Sequence, residues 1–125
     1  MSGTKIAKIS PTEGVAFVPP TGCYAVIFAS LRQDDDGTAY GAAAVHMMDL
    51  AVKQPGYLGS VSARSPGAEG ITVSYWRTQA DIAAWKAQAD HAMAQKKGME
   101  DWYSAYSLVV AQVERGHAFA KPGPP

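Results

Sequence analysis

A β-rich run, a helical run, a hairpin-forming pair of β-rich runs, a second helical run and a last β-rich run follow one another along the chain. That order predicts an α+β fold of the ferredoxin-like βαββαβ kind, a four-stranded antiparallel sheet with both helices packed on one face. The first run, Cys23 to Leu31, adds a second observation: it is apolar on both of its alternating sides, so both faces of the sheet have to be covered. No stretch remains for a further helix. A second copy of the chain is the expected cover, and two sheets packed face to face make a dimeric α+β barrel.

Residues 1–21 carry Pro11, Pro19 and Pro20 among glycines and threonines and read as an extended arm, with Val15 to Val18 pairing as a short strand. Such an arm, folded back, is the alternative cover for part of the second face. In the first strand Tyr24, Val26 and Phe28 point one way, and Cys23, Ala25, Ile27, Ala29 and Leu31 the other. The polar turn Gln33 to Gly37 ends it. From Thr38 to Lys53 the residues Tyr40, Ala43, Ala44, Met47, Leu50 and Ala51 recur at helical spacing until Pro55-Gly56 stops the helix.

Tyr57 to Arg64 and Ile71 to Trp76 flank the turn Ser65-Pro66-Gly67 and predict a hairpin. Thr78 is a good N-cap for the second helix, with Asp81 placed to favour the helix dipole. Ile82, Trp85, Ala89 and Ala92 with Met93 form its buried stripe. Gly98 interrupts that helix, Met99 to Tyr106 continue as a further helical turn, and Leu108 to Val113 is the last strand. Residues 22–116 thus form one domain, and residues 117–125, rich in Pro and Gly, a flexible tail.

Composition excludes several function classes. Eleven basic residues balance eleven acidic ones, and Lys96-Lys97 is the densest basic stretch, which does not suit a nucleic-acid partner. No run approaches the roughly 18 apolar residues of a membrane span. Cys23 stands alone, so there is no internal disulfide and no cysteine-based zinc site, and the polar first residues are not a signal peptide. A cytoplasmic location is the expectation. His46, His91 and His117 are scattered without metal-ligand spacing, and Asp34-Asp35-Asp36 reads as a solvated turn, so no metal is expected.

The run Gly70-Ile-Thr-Val-Ser-Tyr-Trp76-Arg, then Ala83-Ala-Trp85-Lys, Asp90-His91 and Trp102-Tyr103-Ser-Ala-Tyr106 resembles the antibiotic biosynthesis monooxygenase-like family of dimeric α+β barrels. Gln54-Pro-Gly-Tyr-Leu-Gly59 and the closing Val113-Glu114-Arg115 add to the match, which spans about residues 22–116. The family is functionally mixed: cofactor-independent oxygenases acting on phenolic or quinol substrates, haem-degrading enzymes and proteins without assigned chemistry. Fold membership does not choose among them. Its haem-degrading members are marked by a helical Trp, which Trp85 matches. Their haem-ligating His falls here at Gln95 and their strand-one Asn at or near Ser30, and iron needs a strong axial donor. The resemblance therefore points away from haem and towards an oxygenase using no cofactor.

Among residues able to carry chemistry, His91 titrates near neutral pH and could abstract a phenolic proton. Six positions separate it from Trp85, about 120° on an ideal helix, so it stands at the edge of the buried face. It reads as the candidate catalytic base or as an exposed neighbour of Asp90. Trp76, Trp85, Trp102 and Tyr106 form a candidate substrate-binding set for a flat aromatic molecule between helices and sheet, or simply the core. Arg77, ending the third strand, is a candidate for an anionic substituent or a surface ion pair. The expected activity is a cofactor-independent monooxygenase acting on a small phenolic or quinol-like substrate. Its alternative is a non-catalytic protein binding such a small aromatic molecule.

Overall fold

A computed structural model of the chain describes residues 11–32, 49–65, 69–95 and 103–122. Its elements are a short helix α1 (Pro11–Val15), strands β1 (Tyr24–Arg32), β2 (Tyr57–Arg64) and β3 (Glu69–Trp76), helix α2 (Gln79–Gln95) and strand β4 (Tyr103–Gln112). Most of the expected first helix lies outside the described residues; residues 49–52 are helical and lead into the turn at Gly56. The strands form a four-stranded sheet in the order β2-β3-β1-β4, with every neighbouring pair antiparallel. This is the ferredoxin-like α+β arrangement.

The register explains which residues share a face. Val26 of β1 pairs with Ser74 of β3 and with Val110 of β4, and Phe28 pairs with Thr72 and Leu108. Val26, Trp76, Ala51 and Ile82 form the buried core, with Tyr24, Tyr57, Trp85 and Leu108 packed against it. Since Ala51 and Ile82 come from the two helical segments, both helices cover this one face. Trp76 is wholly buried. Its indole N–H donates to Ser74 Oγ at 2.9 Å, and its ring lies 5.3 Å from that of Trp85 and 5.6 Å from that of Tyr57.

Helix α2 starts where the sequence places it. Thr78 Oγ1 accepts from the Asp81 backbone N–H at 3.1 Å and donates to Asp81 Oδ2 at 2.9 Å, an N-cap that satisfies an otherwise orphaned donor. Gly56, at φ +87°, closes the preceding turn, and its carbonyl accepts from the Arg77 N–H at 2.8 Å.

Two local expectations are corrected. The arm is not a strand at Val15 to Val18: Pro11 to Val15 is helical and residues 17–20 are irregular. Proline is preorganised for a first helical turn, whereas Pro19-Pro20 has no N–H to enter a ladder. The segment up to Tyr106 is also not all helical, because β4 already begins at Tyr103. Tyr103, Ala105 and Tyr106 find partners in Arg32, Leu31 and Ser30 of β1, past an irregularity at Leu31/Arg32. A ladder along the whole of β1 outweighs local helical preference.

The second face of the sheet carries Ile27, Ala29 and Leu31 of β1, Ile71 and Val73 of β3 and Val109 of β4. Ile71 is 52% exposed, Val109 51% and Leu31 41%, so this apolar face is open over much of its area. The arm covers one part of it. The Phe17 ring lies 5.7 Å from that of Tyr75, and a Cβ at Gly59 would stand 3.1 Å from it, so the ring rests on the bulge between Tyr57 and Gly59.

Candidate functional site

The helix-covered face of the sheet differs from one end to the other. At the end where β3 finishes, large side chains fill the space: Trp76, Tyr57 and Tyr24. At the opposite end the residues facing the helices are Arg64, Gly70, Ser30 and Tyr106, one from each strand and adjacent in register. An open depression of about 780 Å³ wraps this end. It is bordered by that row and, from the second face, by Ala29, Ala63, Glu69, Ile71, Ala105 and Ser107, and among the described residues none of α2 lines it. Its size is within the range of small-molecule sites.

Gly70 sets the geometry of the row. A Cβ there would stand 2.5 Å from Arg64 Cζ and Nη2, so glycine leaves the guanidinium room to lie in this position across β3. Crossing it, Arg64 Nη2 donates to Ser30 Oγ on β1 at 3.3 Å. Ser30 is buried, and the hydroxyl replaces part of the water it has lost. Beyond Ser30, Tyr106 is half exposed, its ring 5.6 Å from that of Phe28. Glu69 borders the depression from the opposite face and accepts from Ser65 Oγ at 3.4 Å.

The residues singled out from sequence divide between these two ends. Trp76 and Trp85 belong to the filled end and the middle of the core. The Trp85 indole nitrogen is buried and has no hydrogen-bond partner among the described residues, a condition that leaves a strong donor needing an acceptor. Tyr106 belongs to the open end. Arg77 is exposed beside Gly56, at the far end of β3 from the depression. Trp102 lies outside the described residues.

His91 is on α2, and its side chain is outside what is described. The course of the backbone still locates it. Helix α2 leaves β3 at Trp76, and β4 begins at Tyr103 beside Arg32, at the opposite end of the sheet. The chain therefore travels from the filled end to the open end through α2, and His91 stands on its later half, about 9 Å along the axis beyond Trp85.

Arg64 and Ser30 were not chosen as binding residues from sequence. An arginine at a strand end reads as a surface charge, and only the pairing Arg64↔Gly70↔Ser30 shows that it crosses the sheet. Among the described residues no group of three or more His, Cys, Asp or Glu is placed to hold a metal ion, and no helix is long and apolar enough to cross a membrane.

No profile of a known protein family matches the chain. The chain is 43% identical over 101 residues to the YqjZ protein of Bacillus subtilis (strain 168), itself uncharacterised, covering 81% of this chain and 88% of that one. It is 28% identical over 92 residues to a jasmonate monooxygenase of Pyricularia oryzae, covering 72% of this chain and 43% of that longer relative. Among solved structures, SnoaB of Streptomyces nogalater, a cofactor-independent oxygenase, superposes with a TM-score of 0.64 over 77% of this chain and 97% of its own, at 7% identity. A Nitrosomonas europaea protein named for antibiotic biosynthesis monooxygenases gives 0.62 over 77% and 94%, at 17% identity. At such identities the likeness is one of fold.

Proposed function

We propose, from the premise that the chain belongs to the antibiotic biosynthesis monooxygenase-like family, that it is a cofactor-independent monooxygenase of a small phenolic or quinol-like substrate. The observation that carries this reading is the asymmetry of the helix-covered face. One end is filled by Trp76 and Tyr57, and the other is bordered by Tyr106, Ser30 and Arg64 beside an open depression. SnoaB, of the same fold, works without a cofactor by its description, and the jasmonate monooxygenase adds an oxygenase to the relatives.

In this reading the substrate lies in the depression, with its ring against Tyr106. His91 takes the phenolic proton, since imidazole is half neutral near the pH where such chemistry runs. The phenolate gives one electron to dioxygen, and the radical pair joins to form a carbon–oxygen bond. Loss of the proton on that carbon, as the oxygen–oxygen bond breaks, leaves a carbonyl and one water. One oxygen atom stays in the product and the other leaves as water, with no external reductant.

The same reading takes the protein as a homodimer. Ile71, Val109 and Leu31 expose an apolar face of a size that an isolated sheet does not leave in water. Light scattering should give twice the chain mass, and Ile71→Asp should convert it to a monomer; a monomeric parent protein removes the dimer.

Oxygen uptake with a panel of naphthols and anthrones tests the activity. Uptake should be stoichiometric with substrate, and His91→Ala should slow it about 100-fold or more, the usual contribution of a general base. Binding without uptake would make the chain a binding protein. Unchanged turnover in the variant would remove His91 from the mechanism.

A further inference from the structure

We infer that Arg64, laid across Gly70 onto Ser30, is a specificity-determining residue that holds the carboxylate of an acidic aromatic substrate. This rests on the proposed small-aromatic site and names a feature of its ligand. The arrangement is built rather than incidental. A long side chain leaves the edge strand β2, passes over β3 and ends on β1 with Nη2 3.3 Å from Ser30 Oγ. A Cβ at residue 70 would push this flexible side-chain end out of the position it holds.

A guanidinium on a sheet edge ordinarily turns to water, where it is most strongly solvated. Here it lies back across the sheet onto Ser30 Oγ while still exposed at the rim of the depression. Its planar donors match the two oxygens of a carboxylate better than a point charge would. Ser30 Oγ, while accepting from Arg64, keeps its own proton to donate to the same group. The next residue across the sheet is Tyr106, whose ring beside Phe28 supplies an aromatic wall one strand away from the charge. Acidic group and ring are thus received by neighbouring positions of one row.

The charge balance sets the class of anion. Glu69 borders the same depression from the other face and disfavours a doubly charged phosphate. A carboxylate is the group that fits.

The test compares two probes that differ in that group: 1-naphthol and 1-hydroxy-2-naphthoic acid, titrated calorimetrically into the full-length protein. The parent protein should bind the acid about ten- to hundredfold more tightly than the naphthol, as expected for a charge-assisted pair. Arg64→Gln should abolish that preference, bringing the two probes to within about twofold of each other. Arg64→Lys should restore part of it. Gly70→Ala, which keeps the charge and displaces the guanidinium, should weaken acid binding in the same sense. Equal affinity of the parent protein for both probes overturns the inference, as does an acid preference that survives Arg64→Gln. In either case naphthol binding shows that the aromatic site itself stands. If neither probe binds, the site fails and the inference goes with it.

Discussion

Replacing Ser74 by alanine tests whether the filled end of the sheet is organised by one hydrogen bond. Trp76 is 0% exposed and Ser74 6%, and the indole N–H reaches Ser74 Oγ at 2.9 Å. No water can replace the hydroxyl without repacking Trp76 against Trp85 and Tyr57. Ser74→Ala therefore strands a buried donor, and the cost should be about 1–3 kcal/mol, not the few tenths expected of an exposed serine. For roughly 100 ordered residues, 1 kcal/mol corresponds to about 4 °C in Tm, so a fall of about 4–12 °C is expected. A cycle with Trp76→Phe isolates the bond. Phenylalanine removes the donor, so adding Ser74→Ala to it should cost about 1 kcal/mol less than in the parent protein. Urea denaturation followed by far-ultraviolet circular dichroism measures all four proteins without relying on tryptophan emission. Additive effects, or a loss below about 0.5 kcal/mol for Ser74→Ala, would refute the claim that the bond matters.

Other parts of the molecule give further expectations. Gly56→Ala places a Cβ at φ +87° against the Asp81 carboxylate, and thermal melts should show a loss of about 2 kcal/mol or more. Thr78→Ala removes the N-cap of α2 and should cost about 1 kcal/mol, with Thr78→Ser recovering most of it in the same melts. Burial pushes the Cys23 thiol up, against the opposing effect of a backbone hydrogen bond. The unfolded chain then gives up this proton first as pH rises. Stability should decline from pH 9.0, the ordinary thiol value, up through the higher folded value, while below it the contribution is complete. Denaturation midpoints between pH 8 and 11 should fall less steeply in Cys23→Ala, and slow iodoacetamide labelling of the folded protein gives a second check.

Much of the fold was legible because its signals are local and repeated. The strand Tyr57–Arg64 and the Thr78 cap are carried by alternation and by a side-chain oxygen at a helix start, and both stand where sequence places them. The start of β4 was not legible. Tyr103 to Tyr106 reads from sequence as a continuation of helix and becomes a strand through pairing with β1, a partner some 75 residues away in the chain. The arm failed for the opposite reason, since Pro11 marks a helix start more strongly than the valines mark a strand. The candidate site was half legible. Tyr106 announces itself as a large aromatic near a break, whereas Arg64 gains meaning only once the register sets it beside Gly70 and Ser30.

The position of the opening follows from side-chain size along β3. On its helix-covered face the strand presents Gly70, Thr72, Ser74 and Trp76, so the surface rises from almost nothing to a full indole over its length. Helix α2 packs down where Ile82 and Trp85 meet Trp76. Further along, Ala89 of α2 is still buried. The neighbouring strands do not share this gradient, since Arg64 of β2 and Tyr106 of β4 stand beside Gly70 and Ser30. In the proposed reading stability and recognition belong to different ends of one sheet, and the two sets of variants should separate accordingly. Ser74→Ala should lower Tm and leave the affinity for 1-hydroxy-2-naphthoic acid unchanged, whereas Arg64→Gln should lower that affinity with Tm within about 2 °C of the parent. Loss of both properties in either variant would mean that the two ends are coupled through α2, and that the taper does not isolate the opening from the core.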